Sequence, residues 1–245
     1  MIDWIRGDAL GIEFPAHAEA LRSAGPAFLT TALHTSGALA AGNHITQITE
    51  FADCPGGSTG RKLLLSVAYA QPSPALHTAL FVKFSRDFSD AMRDRARTQM
   101  AREVQFALLS RDPKFPIVVP RCYFADYHRE TGTGILITER VPYGLSGIEP
   151  HHEKCLDYRM PDPLQHYRAL VTALARLAGT FKAPRLCGIA ERTFPYDTDA
   201  LSVGQREPYS AQQIRNRVAR YGEFAGNFPQ LLPDNIRAPA FLARL

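Results

Sequence analysis

The chain has 245 residues, 45% of them hydrophobic and 21% charged, with a formal net charge of +4 and a pI near 8.9. That is the composition of a globular protein with room for one large domain or two small ones, and it excludes a low-complexity chain. The arginines are scattered, no apolar run approaches the roughly 20 residues that span a bilayer, and Met1 to Asp8 carries acids where a signal peptide needs bases, so no nucleic-acid arm and no membrane segment is expected and the location is read as cytoplasmic.

Three strands are expected first, at Ile45 to Phe51, Lys62 to Tyr69 and Leu80 to Phe84, where β-branched, aliphatic and aromatic residues cluster between Gly, Pro and Ser. Cys54-Pro55-Gly56-Gly57-Ser58-Thr59-Gly60 between the first two reads as a hairpin turn, which makes the sheet antiparallel. A helix then runs from an N-cap at Ser89 to about Leu109, with Met92, Ala96, Met100, Val104, Ala107 and Leu108 forming its buried stripe and Asp112-Pro113 as its stop. Two more strands, Arg121 to Tyr127 and Gly134 to Val141, are joined by a turn at Glu130 to Gly134.

Past Pro142 the pattern changes, with Gly144, Gly147 and Pro150 in quick succession, and a boundary is placed there between residues 1–142 and 143–245. Asp162 caps a second helix with Pro163 at its first position, and Leu164, Tyr167, Leu170, Val171, Leu174, Leu177, Ala178 and Phe181 keep its period. Ser210-Ala211-Gln212-Gln213 opens a third helix with a capping-box pattern, ending near Gly226, and from Phe228 onward the chain is Pro-rich and weakly patterned. The order predicts an α+β lobe followed by a helical region.

Within this frame Lys83 stands out. Alternation puts Phe81 and Lys83 on one face of the strand and Leu80, Val82 and Phe84 on the other. An ammonium among apolar neighbours needs an anion, since an unpaired buried charge is costly. Glu103, at the edge of the apolar stripe of the next helix, is the candidate. A lysine on the edge of a sheet, there to block aggregation, is the plainer alternative.

With this pair in place, the stretch from Leu80 to Val141 resembles the small lobe of the aminoglycoside phosphotransferase and choline kinase superfamily, which has a protein-kinase-like fold, and most of all its ecdysteroid-kinase-like branch. Leu80-Phe81-Val82-Lys83 resembles the lysine strand, Arg102-Glu103-Val104 the helix glutamate, and Ile135 to Val141 the last strand and hinge. Ala173 to Phe181 resembles the helix leading to the catalytic loop.

The resemblance implies an ATP-dependent phosphotransferase acting on a hydroxyl of a small molecule. Lys83 would grip phosphate, Glu103 orient it, and Glu139 and Val141 meet the adenine edge. Gly37 and Gly42, within Ser36 to His44, would belong to a loop covering the nucleotide. Phe81 departs from the small residue that protein kinases carry two positions before the lysine. No His is followed two residues later by Asp anywhere in the chain, so the catalytic base and the Mg2+ ligands are expected beyond Leu245. A kinase-like binding or regulatory module without catalysis is the alternative.

Other reactive side chains are given bland roles. Cys54, Cys122, Cys155 and Cys187 form no C-x-x-C pair and read as reduced thiols. His151-His152-Glu153-Lys154-Cys155 has no standard zinc spacing and reads as an exposed loop, with no metal site assigned. His166 is taken as a surface residue, Tyr167 as a core aromatic, and Arg215, Arg217 and Arg220 as a solvated basic stripe.

Overall fold

The computed structural model describes residues 2–56, 60–90, 99–153, 156, 159–183, 191–194 and 210–242. They fall into two compact units, Met1–Tyr196 and Asp197–Leu245. The first is mixed α+β and opens with a two-stranded antiparallel sheet, β1 (Trp4–Arg6) and β2 (Glu13–Pro15), followed by helix α1 (Ala18–Thr35). Next come β3 (Ile45–Asp53), β4 (Lys62–Tyr69), β5 (Ala79–Phe84), helix α2 (Gln99–Leu109), β6 (Cys122–His128) and β7 (Thr133–Glu139).

These five strands form one antiparallel sheet in the order β3-β4-β5-β7-β6. Both β5 and β6 pair antiparallel with β7, so they run in the same direction and need a crossover between them. The segment containing α2 supplies it. All five strands lie where the sequence pattern predicts them, within two residues at each end, with Val141 falling two residues beyond the end of β7. Of the helical stripe, Met92 and Ala96 lie outside the described residues, and Met100, Val104 and Ala107 are buried.

Two helices cover opposite faces of the sheet. Leu63, Leu65 and Val67 of β4, Leu80, Val82 and Phe84 of β5, and Ile135 and Ile137 of β7 meet Leu21, Phe28, Leu29 and Leu33 of α1 in the main core. On the other face Met100, Val104 and Ala107 of α2 pack on Cys122, Ala125, Tyr127 and Leu136. A register shift between Cys122 and Phe124 puts the consecutive Tyr123 and Phe124 into the α1-side core together, which strict alternation would forbid. Burial of Cys122 also pushes its thiol up to about 11, keeping it protonated.

The sequence pattern did not reveal α1, because Gly25-Pro26 breaks its periodicity. The backbone turns at Gly25 (φ 61°, ψ −154°) and the helix resumes through Pro26, whose missing N–H costs little at a new helical start.

Helix α3 (Pro163–Lys182) follows its predicted start, with Asp162 Oδ1 accepting from the Gln165 N–H at 3.3 Å. None of its residues is buried: Leu164, Tyr167, Leu170, Val171 and Leu174 are all exposed, so the core position expected for Tyr167 is corrected. Period predicts an apolar stripe, but the partner that buries it is a tertiary matter. The second unit contains helix α4 (Ala211–Asn227), whose capping box between Ser210 and Gln213 is formed in both directions. Arg215, Arg217 and Arg220 are exposed along it. A 3-10 turn (Pro229–Leu231) and two short helices, α5 (Asp234–Arg237) and α6 (Pro239–Leu242), occupy the stretch that carried no pattern in the sequence, and the Tyr221 hydroxyl donates to the Ile236 carbonyl at 3.2 Å.

Candidate functional site

Lys83 lies on the α2 side of β5, opposite the core-facing Val82 and Phe84. Its Nζ donates to Oε2 of Glu103 on α2, with the lysine side chain 11% exposed and the glutamate 36%. The strand therefore accommodates the ammonium because the crossover helix brings a carboxylate onto the same face. A lone charge there would not persist.

Strand pairing arranges the α2 side of the sheet in three rows. One runs Lys62, Lys83, Leu136 across β4, β5 and β7. The next runs Ala52, Leu64, Phe81, Thr138 across β3, β4, β5 and β7. The third runs Glu50, Ser66, Ala79. Successive rows are roughly 7 Å apart, two residues along a strand. α2 packs on β6 and β7, and the side chains of the middle row on β3, β4 and β5 are half-exposed. The face thus has a basic end, an apolar floor and a polar end.

The basic end adjoins the Gly-rich hairpin between β3 and β4. Gly60 has φ +118°, and a Cβ there would lie 2.0 Å from the Phe84 carbonyl oxygen, so the turn rests against the end of the lysine strand in a way only glycine allows. Lys62 Nζ donates to the carbonyls of Gly56 and Gly60, at 2.6 and 3.0 Å, and so ties the two ends of the turn. The sequence reading took Cys54 to Gly60 only as a turn; its position two residues before the lysine paired with Lys83 was the overlooked signal. Gly57, Ser58 and Thr59 lie outside the described residues.

Gly37 and Gly42 lie in the connection between α1 and β3. Gly37 (φ +67°) closes α1, donating to the His34 carbonyl at 2.8 Å, and Ala38 and Leu39 are buried in the α1-side core. The Gly42 carbonyl accepts from Gln71, just past the end of β4. Lys83 pairs with Lys62 at the start of that strand. The eight residues of β4 separate the two by roughly 23 Å, too far for one ligand phosphate.

At the polar end, Arg140 Nη2 donates to Glu50 Oε2 at 2.6 Å and to the Ser66 hydroxyl oxygen at 2.8 Å. The Arg140 guanidinium, with the Ser66 hydroxyl, holds the Glu50 carboxyl below its ordinary range. Glu139 directs its side chain to His77 at 2.9 Å, and its carbonyl accepts from the Thr138 hydroxyl at 3.0 Å. The Val141 carbonyl accepts from the Tyr143 N–H at 3.0 Å. Glu139 and Val141 therefore flank the end of β7, in the region where Arg140 crosses the sheet.

A surface of this kind can hold a flat apolar group over Leu64 and Phe81 with an anion at Lys83. Comparison with protein-family models, with curated proteins and with solved structures finds no match to this chain.

Proposed function

We propose that the α2 side of β3–β5 binds a nucleotide, ATP foremost, and that the chain is the nucleotide-binding part of a phosphotransferase acting on a hydroxyl of a small molecule. The observation that carries this reading is the Lys83–Glu103 pair: a lysine on the third strand of the sheet, oriented by a carboxylate of the crossover helix, beside a half-exposed apolar floor. In phosphoryl transfer the protein's main task is to position phosphates and balance their charge, and a compact ammonium held by a carboxylate suits it.

Base and phosphate requirements fit the spacing of the rows. A purine lies over Ala52, Leu64 and Phe81, and the phosphates reach Lys83 one row away, beside Gly60. The backbone amides of a Gly-rich turn are suited to phosphate oxygens.

For Mg2+ the fit is different. The two carboxylates on these rows and on α2, Glu50 and Glu103, each already hold a cation, so this face offers no magnesium ligand of its own among the described residues. The absence of any His-x-Asp run keeps a second reading in view, a kinase-like module that binds nucleotide without transferring phosphate.

Titration of the full chain with ATP by calorimetry tests the proposal. Wild type binds with one site, and Lys83→Met weakens binding at least tenfold. Equal affinities in the two proteins would overturn the assignment. Release of ADP in the presence of hydroxyl acceptors separates the enzyme from the binding module.

A further inference from the structure

Between β7 and α3 the chain brings together three side chains that neither the nucleotide reading nor the core uses: Glu149, His152 and His166. Their ligand atoms all lie within 4.8 Å of one another. His166 Nε2 is 2.6 Å from Glu149 Oε2, and His152 Nε2 is 3.8 Å from the same oxygen. The two imidazoles stand edge to face, with centroids 5.8 Å apart and planes at 83°.

Helix capping fixes which nitrogen of His166 is available. Asp162 caps α3 with Pro163 at its first position, and one turn later His166 Nδ1 comes 3.0 Å from the Asp162 carbonyl oxygen. A carbonyl oxygen accepts only, so Nδ1 carries a proton. In the neutral ring Nε2 then presents a lone pair, and it faces a carboxylate oxygen at hydrogen-bond distance. Two acceptors that close repel unless a cation sits between them. Either a second proton or a metal ion fulfils that need, and the second imidazole nitrogen nearby is what a metal uses and a proton does not. Backbone bonding of the far ring nitrogen is also how ligating histidines are oriented.

We infer that Glu149, His152 and His166 form a site for a divalent transition-metal ion of the zinc class. Two imidazoles and one carboxylate suit Zn2+, Co2+ or Ni2+, whereas Mg2+ and Ca2+ prefer all-oxygen sets. Ligands about 2.0–2.2 Å from one ion stand roughly 3–3.5 Å apart, and the 2.6 and 3.8 Å separations here straddle that range. All three side chains are at least partly exposed, so small rotations bring them into coordination. Solvent fills the remaining positions. The ion would clip the segment that leaves β7 to the first turn of α3, a role independent of nucleotide binding.

The sequence reading passed over this site because it looked for ligands within His151 to Cys155. Only one of the three lies there; Glu149 precedes it, and His166 comes from the helix.

The test uses the full chain and the metal alone. Zn2+ is titrated in competition with a chromophoric chelator, and Co2+ is followed by its absorption spectrum. One equivalent should bind, without a thiolate-to-cobalt charge-transfer band, and His152→Gln and His166→Ala should each weaken binding ten- to a hundredfold with unchanged circular dichroism. Zn2+ should also raise the melting temperature of the wild type and not of the double variant. If no ion binds, if affinity survives in the double variant, or if a thiolate band appears and vanishes in Cys155→Ser, the inference is wrong. Because His152→Gln lies in an exposed loop, it reads the site even if His166→Ala disturbs α3.

Discussion

Lys83 and Glu103 meet across the interface between β5 and α2, an ammonium from the middle strand of the sheet held by a carboxylate from the crossover helix. With one partner largely buried and the other more than a third exposed, the pair lies between a surface bridge and a buried one. A coupling of about 1–2 kcal/mol follows. Lys83→Met and Glu103→Gln, combined in a double-mutant cycle and read by urea denaturation, should return that value. If the ammonium also serves a nucleotide, Glu103→Gln should in addition weaken ATP binding by roughly three- to tenfold, because an unoriented lysine binds phosphate less well. Coupling indistinguishable from zero would argue that the contact is incidental.

Gly60 packs against the end of β5 with no room for a side chain. Gly60→Ala forces a strained φ and a backbone collision at once, and should cost roughly 2–4 kcal/mol of stability. Gly42→Ala, in an open turn with nothing near its would-be Cβ, is the control and should change stability by less than about 1 kcal/mol. Thermal melts of the two variants make the comparison, and similar losses in both would contradict the geometry of the hairpin.

Asp126 is fully buried on β6, where its carboxylate accepts from the backbone N–H groups of Ala9 (2.9 Å), Leu10 (3.0 Å) and Tyr127 (2.8 Å). It thereby holds the β1–β2 connection onto the large sheet. Asp126→Ala leaves these donors without their acceptor and should destabilise the protein by roughly 2–4 kcal/mol, and Asp126→Asn, which keeps one acceptor, by less. Hydrogen exchange of the Ala9 and Leu10 amides provides the local readout. Amides still protected to the wild-type degree in Asp126→Ala would show that something else holds the loop.

Glu50 gives a pH dependence with a definite sign. Its carboxyl titrates below the ordinary range when folded, because of Arg140 first and the Ser66 hydroxyl second. A depressed folded pKa means that the stability it contributes is fully present above the unfolded value of about 4.3 and is lost as pH falls through the folded one. Wild type should exceed Glu50→Gln in urea midpoint at pH 7 and converge with it toward pH 3. A gap that stays constant across that range would remove the charge from the explanation.

The five strands of the large sheet, the crossover helix and the inward lysine were legible in the sequence, since each rests on local pattern: clustered apolar residues in Lys62 to Tyr69, punctuation by Gly and Pro, and a charge too costly to bury alone. The candidate nucleotide face was only partly so. Which glycines stand beside Lys83 depends on strand register, and register is set by pairing between segments about twenty residues apart, Lys62 with Lys83. That is why Gly60 stands against the end of the lysine strand.

What the sequence determined by itself, then, is the five strands of the large sheet, the starts of α3 and α4, and the demand that Lys83 find an anion, because propensity, period and desolvation act over a few neighbouring residues. The tertiary structure alone decided that α1 bends at Gly25 to cover the opposite face, that Gly60 stands against the end of β5, and that His166 joins Glu149 and His152. Each of these unites residues far apart in the chain, and no local preference encodes a distance that only the packing of finished elements fixes.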